Sequence, residues 1–190
     1  FRRYSPPDFV AALKTVSFCG NYGDPAVVPD LIPILGYCWS CNPKLVVRVY
    51  SNASIRAVSW WRDLARAASG HTLRLIAAID GTNQETSRLY RVGTDFPTIM
   101  RNTAAFISEG GIAEWWMVVF RHNEHQVETA EAMAKARGFA NFRSYPSNRF
   151  NGKPSFTYSH RGVEHVLMPP TKVLAPRSAT THRVAVDEFA

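Results

Sequence analysis

Short apolar runs that stop on polar turns alternate along this chain with longer stretches of helical period. Ser5-Pro6-Pro7-Asp8 ahead of Phe9 to Leu13 supplies a cap and a proline start, which predicts a short helix. Val16 to Cys19 reads as a buried strand, with Cys19 inside it, and it halts at Gly20-Asn21-Tyr22-Gly23-Asp24-Pro25. A helix-like face follows from Asp30 to Tyr37. Leu45 to Tyr50 is strand-like and ends at Ser51-Asn52-Ala53-Ser54, and Ile55 to Ala68 is helical. Leu73 to Ile79 is the next strand, closing on Asp80-Gly81, and a polar connection from Thr82 to Val92 holds Tyr90-Arg91. Phe96 to Ser108 has helical period and is ended by Gly110-Gly111. Trp115 to Phe120 is a strand ending at Arg121-His122-Asn123-Glu124, followed by a helix from about Glu124 to Ala136 and a short strand from Phe139 to Arg143.

Each strand-plus-helix unit takes about thirty residues, the length of a right-handed βαβ crossover in a parallel sheet. The expected fold class is therefore α/β. In such sheets ligands sit outside the carboxyl ends of the strands. Asp24, Asn52, Asp80 and Asn123 each follow a strand and would share one rim. Gly20 and Gly23 would let the backbone approach a ligand, Asp24 adds an acceptor for ammonium or hydroxyl groups, and Pro25 fixes the exit of the turn. The barrel-like part is expected over residues 1–144. Residues 145–190 read as an irregular extension with one hairpin, Ser155 to Tyr158 against Val163 to Leu167.

Composition narrows the classes. With 46% hydrophobic and 19% charged residues the chain is an ordinary folded protein. Its net charge of +7 favours anionic partners, yet the basic residues are scattered, which speaks against a nucleic-acid surface. No run reaches the ~20 apolar residues of a membrane span, so no membrane partner and a cytoplasmic location are expected. Three cysteines exclude a disulfide framework, and Cys38 and Cys41 read as small apolar fillers on a helix, their role otherwise open. His122 and His125 bracket Asn123 and read as solvated side chains or as supports behind the site rather than metal ligands, and Trp60, Trp61, Trp115 and Trp116 read as packing residues.

GNYGDP, VYSNAS and AAIDGTNQETSRLYRVGT follow one another at strand ends, and FISEGGIAEWWMVVFRHNEHQVETAEAMAKARGF supplies the later strand and helix. In order and spacing these segments, from about Thr15 to Phe142, resemble the radical S-adenosylmethionine superfamily: its Gly-Gly-Glu-Pro turn, its Thr-Asn-Gly and its Ile-Asp-Gly with a downstream arginine. The resemblance implies a partial (β/α)6 TIM-like barrel of parallel strands that binds S-adenosylmethionine and a [4Fe-4S] cluster. It implies that Gly23 and Asp24 meet the methionine amino group, that Asn52 and Asp80 lie toward methionine and ribose, that Arg91 pairs with the carboxylate and that Asn123 completes the rim. It also implies an electron donor such as flavodoxin or ferredoxin, and hydrogen abstraction from a substrate the sequence does not name. The C-x3-C-x2-C cluster motif is absent from this sequence. The chain begins at Phe1, so the expectation is a fragment lacking the first β/α unit, with the cluster ligands upstream and no activity of its own. Two other readings stay open: a phosphate- or sugar-binding β/α-barrel enzyme, and a non-catalytic basic binding module.

Overall fold

A computed structural model describes residues 1–20, 23–150 and 152–171. Asn21 and Tyr22 of the expected turn, and the part of the expected extension from 172 onward, lie outside the described residues. Five parallel strands alternate with helices in an α/β sheet of order β1-β2-β3-β4-β5 that is not closed into a barrel, and a two-stranded antiparallel sheet follows. The chain divides into two compact units, one formed by Phe1–Ala78 with Gly93–Ala113, the other by Ile79–Val92 with the chain from Glu114 onward. The boundary expected at 144/145 falls inside a strand of the second unit.

The first unit holds α1 (Pro7–Ala11), β1 (Thr15–Phe18), α2 (Leu31–Cys41), β2 (Val46–Ser51), α3 (Val58–Ala67) and β3 (Thr72–Ala78). β1 runs parallel to β2 with Thr15 opposite Val46, and β2 runs parallel to β3 with Val46 opposite Thr72. Alternation along β2 buries Val47, Val49 and Ser51 while Arg48 is exposed, the period-2 pattern that lays one face on the core. That core is completed by Leu31, Leu35 and Trp39 of α2 and by Trp61 and Leu64 of α3.

The second unit opens with a four-residue helix, α4 (Gln84–Ser87), inside the stretch the sequence leaves as a polar connection. Asn83 makes the difference: its Oδ1 accepts from the Thr86 N–H at 2.9 Å and caps one helical turn. α5 (Phe96–Ser108) belongs to the first unit and has the predicted bounds. Asp95 caps it in the same way, accepting from Thr98 N–H at 2.8 Å. β4 (Ile112–Val119), α6 (Val127–Ala136) and β5 (Asn141–Pro146) come next, with β4 parallel to β5 and Glu114 opposite Asn141. β5 begins two residues later than the pattern suggests, because Phe139 is used as a core residue against Trp115, ring centroids 5.5 Å apart. The expected hairpin is present as β6 (Phe156–His160) and β7 (Val163–Leu167), turning on Arg161 at φ 53° and Gly162 at φ 77°. It packs Leu167, Phe156 and Tyr158 on Val118, Phe120 and Phe150.

Cys19 departs from its expected place. β1 ends at Phe18, the chain turns outward toward Gly20, and the thiol is exposed. Cys38 is buried among the apolar residues of α2, as a filler would be, and Cys41 is half-buried on the last turn.

Candidate functional site

At the carboxyl end of β1 the chain has no room for side chains. A Cβ on Gly20 would run into the carbonyl oxygen of Gly23, so only glycine permits this close return of the backbone. Pro25 then starts a single 3-10 turn, Pro25–Val27, whose cap is Asp24: its Oδ1 accepts from the Ala26 N–H at 2.9 Å. The other carboxylate oxygen reaches the end of β2, accepting from Ser51 Oγ at 2.9 Å and from the Asn52 N–H at 2.9 Å. Asp24 thus ties the first strand end to the second. A carboxylate offers about four acceptor positions, and three of them are filled from the described residues.

The part Ser51 plays in bracing the loop after β2 was not legible in the sequence. The Ser51 hydroxyl is buried, donates to Asp24 and accepts from the Ala53 N–H at 2.9 Å. Ala53 and Arg56 sit at φ 57° and 66°, a region costly for residues with a side chain. Asn102 of α5 holds this loop, donating to the Ala53 carbonyl at 2.8 Å and to that of Ile55 at 3.2 Å. Arg56 reaches back to the carbonyls of Ala26 at 2.6 Å and Val27 at 3.1 Å. A serine, an arginine and a mid-helix asparagine carry no motif, and only the buried polar position of Asn102 on an apolar helix face hinted at such a brace. Asn52 itself is half-buried, and its Oδ1 accepts from the Ser54 N–H at 2.8 Å in an Asx turn. Beside Asp24 lies a cavity of about 450 Å³, walled by Phe18, Gly20, Gly23, Pro25, Val28 and Leu31 among others. Its size falls in the range of small-ligand pockets.

The second unit gathers Asp80, Arg91 and Asn123. Asp80 is fully buried after β3; one carboxylate oxygen accepts from the Val118 N–H at 2.6 Å and the other from Arg91 Nε at 2.5 Å. Burial pushes the Asp80 carboxyl above the usual carboxylate range, and Arg91 and the Val118 N–H pull it part of the way back. Burial also works against the Arg91 charge, but the Asp80 carboxylate outweighs it, so the guanidinium stays charged. Arg91 is therefore anchored on Asp80, with a side chain still 28% exposed.

Asn123 is fully buried. Its Nδ2 donates to the carbonyls of Asp80 at 2.9 Å and Val118 at 3.0 Å, and its Oδ1 accepts from the Phe120 N–H at 2.7 Å. Every polar atom of the side chain serves the backbone where β4 ends, and none faces a cavity. His122 is partly buried and stacked on Phe120, ring centroids 5.4 Å apart. Burial, and then its neighbour His125, lowers its pKa from the ordinary value of 6.5. The sequence-predicted residues thus fall into two constellations, Gly20-Gly23-Asp24-Pro25 with Asn52 in the first unit and Asp80-Arg91-Asn123 in the second.

The donor set suits one of the groups that the sequence suggests and not the other. Cys19 is exposed after β1 whereas Cys38 is buried on α2, and no group of three His, Cys, Asp or Glu able to hold a metal occurs among the described residues. These residues do not fit an iron–sulfur cluster. The Asp24 end does suit a zwitterionic small molecule: a carboxylate acceptor beside a cavity, a tight glycine backbone and an apolar wall. No described helix is long and apolar enough to cross a membrane.

No protein-family model matches the sequence, and no match is found among curated proteins. Solved structures match in shape. anSMEcpe with bound AdoMet superposes with a TM-score of 0.59 at 14% identity, over 82% of this chain and 41% of that one. TYW1 with a lysine-pyruvate adduct bound gives 0.51 at 12% identity, over 83% and 56%. HemN from Escherichia coli, a coproporphyrinogen III oxidase described as a radical SAM enzyme, gives 0.52 at 12% identity, over 70% and 32%. The chain spans from about a third to somewhat over half the length of these proteins. What they share with it is an α/β fold of parallel strands alternating with helices.

Proposed function

We propose that this chain is part of a radical S-adenosylmethionine enzyme and that the Asp24 end of the sheet holds the methionine moiety of S-adenosylmethionine. The observation that carries this is the carboxylate of Asp24, fixed by Ala26, Ser51 and Asn52 beside a small-molecule cavity at the carboxyl end of a parallel strand. That is where an α/β sheet presents its ligand, and the fold is shared with an AdoMet-bound protein. In this reading Asp24 accepts from the ligand ammonium, Gly20 and Gly23 keep the backbone low enough for contact, and Asn52 faces the same end. S-adenosylmethionine held there would supply a sulfonium open to reductive cleavage and, through it, hydrogen-abstraction chemistry. The described residues offer no cluster ligands, so cluster ligation is assigned to a cysteine segment outside this sequence, and the electron to a donor of the flavodoxin or ferredoxin class. A cytoplasmic setting accords with that reading.

The test is S-adenosylmethionine binding to the present chain by isothermal titration, alongside Asp24→Asn. Saturable binding weakened about tenfold by the substitution, about 1.4 kcal/mol, is expected. Equal binding by both proteins, or no saturable binding of S-adenosylmethionine by a folded chain, overturns the assignment. Saturable binding of inorganic phosphate that competes with S-adenosylmethionine would favour a phosphate-binding barrel instead.

A further inference from the structure

Within the second unit, the carboxyl ends of β4 and β5 open onto a cavity of about 770 Å³ that shares no residue with the one beside Asp24. Two guanidinium groups line it, Arg91 and Arg149, and no carboxylate does. Arg91 is compensated from beneath by buried Asp80. Arg149 is different. Its Nε donates to the Tyr90 hydroxyl at 2.7 Å, its guanidinium carbon lies 5.6 Å from the Tyr90 ring centroid, and it has no acidic partner among the described residues.

The geometry around Arg149 is built. The turn that carries it is held by its own N–H donating to Ser147 Oγ at 3.2 Å. Tyr90, which orients the guanidinium, is fixed in turn against buried Phe120 with ring centroids 4.6 Å apart. The bond to Tyr90 occupies Nε and leaves the terminal nitrogens, the planar fork that matches a carboxylate or phosphate. Tyr145 adds a second aromatic wall, and Asn148 and Ser147 supply neutral polar groups.

We propose that this cavity binds an oxyanion, carboxylate or phosphate, carried on a planar or apolar body, with Arg149 on the anion and Tyr90 and Tyr145 against the body. Charge and shape agree: a cavity lined by cations and no anions recruits negative ligands, and aromatic faces retain the flat part. Arg149 is a binding residue here. The assignment does not depend on S-adenosylmethionine.

The experiment is titration of the chain, without S-adenosylmethionine, with benzoate, phenyl phosphate and benzyl alcohol, followed by tyrosine fluorescence and calorimetry. Benzoate or phenyl phosphate is expected to bind saturably, and whichever binds more tightly names the anion. Arg149→Ala should weaken it at least about tenfold, and Arg149→Lys should weaken benzoate more than phenyl phosphate, because a lysine keeps the charge and loses the fork. Arg137→Ala, an exposed arginine at the end of α6, should change nothing. Arg149 is exposed, so the variants should keep their thermal midpoint and circular dichroism. Benzyl alcohol binding as well as the anions, undiminished binding by folded Arg149→Ala, or no anion saturation below about 10 mM overturns the proposal. A negative result here leaves the Asp24 assignment standing, and the converse is also true.

Discussion

Two asparagines that look alike in the sequence, each just past a strand, should behave very differently when cut to alanine. Asn123→Ala strips partners from the Phe120 N–H and from the carbonyls of Asp80 and Val118, all tied to a side chain that is fully buried. An orphaned buried N–H costs about 1–3 kcal/mol and each of the two lost carbonyl bonds about 0.5–1.5 kcal/mol, so about 2–6 kcal/mol of stability should disappear. That is a large share of the roughly 5–15 kcal/mol by which domains are stable. Asn52→Ala gives up one accepted bond from the Ser54 N–H at a half-buried turn that water can reach, for about 1 kcal/mol or less. The assay is urea unfolding followed by tryptophan fluorescence. Asn123→Asp serves as a second probe, since it keeps the acceptor for Phe120, removes both donors and adds a buried carboxylate; it should be no more stable than the alanine variant. If Asn123→Ala unfolds at the same urea concentration as Asn52→Ala, the account of Asn123 as a backbone clasp is wrong.

Gly81→Ala places a Cβ 2.8 Å from the Ser87 nitrogen and 3.1 Å from the Ser87 Cα, so backbone must move; a loss of about 1–3 kcal/mol, read as a lower thermal midpoint, is expected, and an unchanged midpoint would contradict the packing of α4 on this turn. His122 is held with its pKa below 6.5, by burial first and His125 second, so the unfolded chain takes up more protons as the pH falls below 6.5. The stability contributed by neutral His122 is complete above that value and is lost toward lower pH. Thermal midpoints taken at about pH 7.5 and about pH 5.5 should therefore fall less for His122→Phe than for the unsubstituted chain.

The order of strands and helices was legible because it rests on two periodicities and on glycines at helix ends. What could not be read was which partners a polar residue at a strand end finds. Asp24 and Asn123 carry the same sequence signal, a small polar residue after an apolar run. Their fates differ by tertiary partners alone: Asp24 reaches Ser51 and Asn52 across 27 and 28 positions of chain, and Asn123 reaches Asp80 across 43. Arg91, expected to meet a ligand carboxylate, is paired through its Nε with Asp80, an ion pair spaced eleven residues apart that no local rule proposes. Arg149 lay in what reads as irregular tail, and its position beside Tyr90 spans 59 residues. Asn83, by contrast, was a local cap signal within reach of the sequence, hidden only by the brevity of the helix it starts.

β1 is four residues long and, among the described residues, pairs on one side only, with β2. The other side therefore presents backbone amides and carbonyls as a template, to which any extended segment can add in register. Its outward Thr15 and Ser17 do not repel such an addition, and the exposed thiol of Cys19 at its end could lock a stray partner in place by oxidation. The net charge of +7 works the other way, holding copies of the chain apart at low ionic strength. Salt and reductant thus become the variables that govern whether this edge stays open, recruits a neighbouring strand or seeds an assembly of like chains.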